Sequence, residues 1–321
     1  MRIIELSKQF IPTTDEVWRL QGAKDKDAIM FQAMANKGHY QKVGGSRQGI
    51  YICSPNGNLL SSINSLDPDV VLDIIQKGLK KWNNLAKTDR HLPKDFSKDI
   101  EHRWENSFPQ GGLILKGAKA DLLTDPPSFS QRGDRWNMDH VWFDKEESHL
   151  WLPKRIKKGE VQECSQIIKD RLFRFHFVDN VRGQTLPFAS EEIKKSNLEV
   201  EIIEIQKSQL ELSIRGNSHA IAKGPWLLGE NDWTPNYDLD HSIETNILGK
   251  AVYNTQKEVF IEFELVVLGR WIGKTQNNGR HHGPNSGHIG ITYNLSHDFD
   301  GIRIAPAFVD LYNAAWISQP Q

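Results

Sequence analysis

The chain is poor in sulfur. Its only two cysteines, Cys53 and Cys164, stand 111 positions apart in 321 residues. That spacing excludes a disulfide framework and a zinc site built on thiolates. No C-x-x-C occurs anywhere, so chemistry that needs a second sulfur beside a low-pKa thiolate has no motif here. No run of 18 apolar residues occurs, and no segment reads as a membrane span. Formal net charge is −1, which lacks the basic excess that draws a protein to nucleic acid. Met1 leads into a charged, helix-like segment and not an apolar signal core. The chain as written is therefore expected in the cytoplasm, and an upstream signal would export it. Nucleophile elbow, serine triad, dinucleotide fingerprint and internal repeat are all missing.

What remains is a globular composition, 38% hydrophobic and 25% charged. The length suggests two domains. Ten tryptophans are expected mostly in cores or grooves. Residues 3–10 and 27–40 carry helical spacing, with Asp25 or Asp27 near the start of the second helix, and IPTTDEVWRL between them reads as a strand. GIYIC and LLSSI form a hairpin around Pro55-Asn56-Gly57-Asn58. A strong helix follows, with Asp67 as N-cap, Pro68 at its first position and an apolar stripe from Val70 to Trp82.

The stretch GIYICSPNGNLLSSINSLDPDVVLDIIQKGLKKW, with the helices before it, resembles the second part of a thioredoxin-like domain over residues 3–86. The resemblance implies a truncated α/β module and departs from the family at its chemistry. The dithiol is missing, and Tyr51 stands where the family places a cis-proline. Cys53 then reads as a buried strand cysteine, with a single reactive thiol as the alternative.

Residues 87–110 read as a polar linker. Residues 111–321 read as a β-rich domain, an antiparallel barrel or sandwich, with strands in 198–224, 244–273 and 288–312 and a helix over 161–180. The expected fold class is thus α+β.

Four stretches carry candidate chemistry. GRHHGPNSGHIG brings His281, His282 and His288 together, a set that suits a divalent metal ion, although no recognised ligand spacing is present. RGDRWNMDHVWFDKEE, read as a polar loop, sets Asp139 and His140 beside Trp136 for acid-base work or for ligand binding. FRFHFVDNVRGQTLPF offers Arg182 as a clamp for a carboxylate or phosphate, or as part of a structural turn. GRWIGKTQNNGR offers Arg270, but Leu268 stands where a phosphate loop needs glycine.

These features leave three functions open. The first is a non-catalytic binding or structural protein for a protein partner or small ligand. The second is a metal-dependent protein using the histidine loop. The third is single-cysteine redox chemistry at Cys53. A homo-oligomer is also expected if the short first module leaves a sheet edge to cover.

Overall fold

Buried and exposed positions alternate along most of 193–206, 209–222, 241–254 and 259–273, which gives long strands with one buried face. The computed structural model describes residues 2–13, 17–40, 47–92, 108–122, 136–183, 185–223, 240–274, 278–280, 285–296, 304–308 and 312. The chain divides into two compact units, residues 1–100 and 101–321, with the division inside the polar stretch 87–110. The whole is mixed α+β. None of its described helices is long and apolar enough to cross a membrane.

The first unit holds α1 (Arg2–Ser7), α2 (Val17–Gly22), α3 (Lys26–Ala35), the hairpin β1 (Ile50–Cys53) and β2 (Leu59–Ile63), and α4 (Pro68–Asn84). Asp25 caps α3 by accepting from the Ala28 amide at 2.9 Å. Asp67 caps α4 by accepting from Asp69 at 2.9 Å and Val70 at 3.2 Å. The apolar face of α4 closes over the hairpin through Ile75, with Ile52 and Leu60 beneath. The strand expected within residues 11–20 is not found, because residues 17–22 are helical. A strand there needs a sheet to join. Among the described residues, β1 and β2 pair only with each other.

The second unit is one eight-stranded antiparallel sheet in the order β4-β3-β10-β9-β8-β7-β6-β5. The strands are β3 (Leu113–Leu122), β4 (Trp136–Phe143), β5 (Val161–Glu163), β6 (Ile193–Gln206), β7 (Gln209–Ala222), β8 (His241–Asn254), β9 (Val259–Gly273) and β10 (Ser286–Leu295). Among the described residues its end strands β4 and β5 do not pair with each other, so the expected antiparallel barrel or sandwich is found as one sheet that is not closed there. A short α5 (Lys145–His149) follows β4, and α6 (Gln166–Asp170) follows β5.

The inner face of the sheet is covered by α6 and its continuation, a π-helical turn over Arg171–His176. Ile168, Leu172, Phe173 and Phe177 from this segment pack against Val141, Leu212, Ile247 and Ile291 of the strands. The closing stretch 301–312, expected as a strand, has no strand at its described residues, 304–308 and 312. Ala305 and Tyr312 pack in one cluster with Trp142 of edge strand β4.

Candidate functional site: an interior charge network and an exposed sheet face

Strand β3 starts its inward face with Leu113 and Leu115 and ends it with Lys119 and Asp121, so a lysine and an aspartate are carried into the interior. Two charge clusters form around them. Buried charges are tolerated only where partners replace water.

The first cluster centres on Asp139 of β4. Its Oδ2 accepts from Lys119 Nζ at 3.0 Å, from His176 Nδ1 at 3.0 Å and from the Tyr293 hydroxyl at 2.6 Å. Its Oδ1 accepts from the His140 amide at 2.9 Å. Lys119 and His176 have no exposed surface, and Lys119 Nζ also donates to the His176 carbonyl at 2.5 Å. Burial alone would raise the Asp139 pKa. The charge of Lys119, with the hydrogen bonds from His176 and Tyr293, outweighs it and holds the carboxyl well below the usual carboxylate range. For His176 the balance of effects is reversed: burial outweighs the pull of Asp139 and lowers its pKa.

Because an ionised carboxylate only accepts, the His176 proton sits on Nδ1. Its Nε2 is then an acceptor and takes the Tyr312 hydroxyl. The π-helical turn explains how one segment serves both partners of Tyr312. Residues five apart align on such a turn, so Arg171 and His176 share a side. Arg171 stacks 4.1 Å from the Tyr312 ring centroid, donates to the Trp142 carbonyl at 2.7 Å and forks onto Glu147. Gly117, inward between Leu115 and Lys119, leaves room for the Tyr293 ring. A Cβ there would meet that ring at 2.4 Å.

The second cluster joins Asp121, Asp179, Arg182 and Arg280. Arg280 donates to both oxygens of Asp121 at 2.8 Å and to Asp179 at 2.9 and 2.5 Å, and Arg182 Nε reaches Asp121 at 2.6 Å. Its guanidinium lies 4.0 Å from the Trp271 ring centroid, an added cation–π contact. Burial would lower the Arg280 pKa, but the two carboxylates outweigh it and raise it further. Gly279 adopts φ +71°, and a Cβ on it would meet the Arg182 carbonyl at 2.6 Å. Glycine is therefore what lets residue 280 enter the interior.

The residues expected to form one ligand site do not converge. Trp136, Asp139 and His140 lie on β4 and not in a loop, and alternation along the strand sends them to opposite faces. Asp139 and Arg182 are inside, each bound to groups of the chain itself. Trp136 and Arg270 are exposed on the outer face. His140 is buried on the outer side with its Nε2 unpartnered, and burial lowers its pKa.

His281 and His282 fall outside the described residues. His288 stands exposed on β10, opposite Arg270 and Leu122. Among the described residues, no three His, Cys, Asp or Glu side chains are placed to hold a metal ion. Cys53, expected to be buried, is exposed, and partial burial of its thiol raises its pKa. Cys164 is buried and pushed up to about 12. Both therefore favour the protonated, weakly nucleophilic form at neutral pH.

Lys119, Asp121, Arg171, Tyr293 and Tyr312 are not singled out by the sequence, and Arg280 is singled out only for phosphate binding in GRWIGKTQNNGR. The signal was the inward phase of β3, which runs from Leu113 and Leu115 into Lys119 and Asp121. It becomes readable only once strand pairing fixes which phase faces the core. No protein-family model, curated protein or solved structure matches the chain.

Proposed function

We propose that the chain is a non-catalytic binding or structural protein. The observation that supports this most is the closure of its interior charges. Asp139 accepts from four donors. The Asp-His-Tyr series through His176 has the order of a proton relay, but His176 and Tyr293 are fully buried, and every polar end of the series meets another group of the chain. A catalytic base needs a lone pair within reach of a substrate proton. The His176 Nε2 lone pair is already taken by Tyr312.

In this reading the first unit is a thioredoxin-like module without its dithiol, supported by its hairpin and the helix packed on it. Binding falls to the outer face of the large sheet, where Trp136, Arg270 and His288 are exposed.

The test is metal analysis of the purified chain beside the His281→Ala/His282→Ala variant. The expected result is no stoichiometric ion in either. An ion bound one to one and lost in the variant would overturn the proposal and make the histidine stretch the working site.

A further inference from the structure

The outer face of the sheet carries an apolar island. Cross-strand register sets Leu248 of β8 beside Val266 of β9 and continues that row through Thr292 and Ala118 to Met138. The next row along the strands runs from Leu268 through Gly290 and Ala120 to Trp136. Leu248, Val266, Leu268 and Trp136 are 65%, 59%, 48% and 62% exposed. Exposed apolar residues are ordinary when scattered, but a contiguous set across neighbouring strands marks an interaction surface.

The charges flanking the island are ordered. On one side Lys250 of β8 pairs with Glu264 of β9 at 3.3 Å. On the other, Glu244 of β8 stands opposite Arg270 of β9. Read from β8 to β9, one flank is plus then minus and the other minus then plus.

A two-fold axis lying in the sheet plane, across the strands and between the two apolar rows, exchanges these flanks. It keeps every strand over its own counterpart. It sets Glu264 against Arg270 of a second copy, and Lys250 against its Glu244, each pair occurring twice. The same operation lays Val266 on Leu268, Met138 on Trp136 and Leu248 on Asn246. An axis along the strands between β8 and β9 also matches the charges. It would, however, lay Gly290 and Ala120 over the polar Asn217 and Asn197 of β7 and β6. The cross-strand axis is the one that matches the charges and, on β9, β3 and β4, sets apolar residues on apolar residues.

Five strands about 4.8 Å apart and four rows about 6.8 Å apart cover about 650 Å². This is close to the roughly 800 Å² per partner of a standard interface.

We propose that the chain forms a two-fold dimer through this face, the two sheets stacked face to face. The proposal deepens the binding role argued above by naming a second copy of the chain as the partner.

Sedimentation velocity on the full chain tests it. The wild type is expected to be dimeric, and Leu268→Asp monomeric with an unchanged far-UV spectrum. Arg270→Glu alone is expected to weaken the dimer about tenfold by setting like charges together, and Arg270→Glu/Glu264→Arg to restore it. A wild type monomeric at about 100 μM, or a dimer indifferent to Leu268→Asp and to the charge reversal, would overturn it. A monomer without a stoichiometric metal ion removes the dimer alone. An ion lost in His281→Ala/His282→Ala removes the non-catalytic reading, whatever the oligomeric state.

Discussion

Asp139→Asn is expected to cost about 3–5 kcal/mol of stability, the range for breaking a buried ion pair from one side. For a unit of this size that lowers the melting temperature by about 6–20 °C. The amide keeps the shape of the carboxylate but not its charge. Lys119 would remain with no exposed surface and no counter-ion, and the three donors now on Oδ2 would face a group that is itself partly a donor. The companion variant Asp139→Leu/Lys119→Met removes both charges together and is expected to recover the part of the loss due to the stranded Lys119, while the buried donors of His176 and Tyr293 still lack their acceptor. Thermal melts of the three proteins check this. An Asp139→Asn protein as stable as wild type would mean that the cluster is solvated and open.

Arg280→Met is the second large effect, again about 3–5 kcal/mol. The substitution keeps an unbranched side chain near Trp271 but strips four hydrogen bonds from two carboxylates. Asp121 retains Arg182, so the greater cost falls on Asp179. Arg280→Lys is expected to rescue little. A lysine is a point charge, whereas the guanidinium fork spans two carboxylates while its plane lies on an indole. Denaturant unfolding of Arg280→Met, Asp179→Asn and the double variant checks the account. The double variant should lose much less than the sum of the singles, because each single leaves one charge stranded.

Both effects arise where a strand that looks ordinary in sequence carries a charge inward. The regular parts of the fold were legible because local chemistry decides them. Asp67-Pro68 starts α4, Pro55 to Asn58 turns the first hairpin, and alternation over 193–222 makes β6 and β7. Architecture was less legible. Strand spacing is the same for a barrel, a sandwich or one open sheet, and only the pairing of edge strands β4 and β5 separates them. The candidate site was legible residue by residue and not as a set. Asp139, His140 and Trp136 crowd the sequence, yet a strand deals neighbours to opposite faces. Asp139 meets partners 20, 37 and 154 positions away in Lys119, His176 and Tyr293. No local pattern encodes separations of that size.

The central claim is that the interior network is closed, and the ring of His176 reports on it most directly. Its pKa is lowered by burial in the folded chain, so it is neutral there, with its proton on Nδ1. The unfolded chain takes up the proton near the ordinary histidine value of about 6.5. A folded-state pKa held below the unfolded one supports the fold fully above that value and loses that support as pH falls, at about 1.4 kcal/mol per pH unit. His140 is lowered by burial as well and adds to the same loss. Stability should therefore decline from about pH 6.5 downward, before the ordinary carboxylate range near 4. Nitrogen-15 NMR of the imidazole across that range is the decisive measurement. The account predicts a single neutral, Nδ1-protonated His176 that does not titrate while the chain stays folded. A His176 that titrates between pH 5 and 8 in the native protein would contradict it and reopen the Asp139-His176-Tyr312 series as a working proton relay.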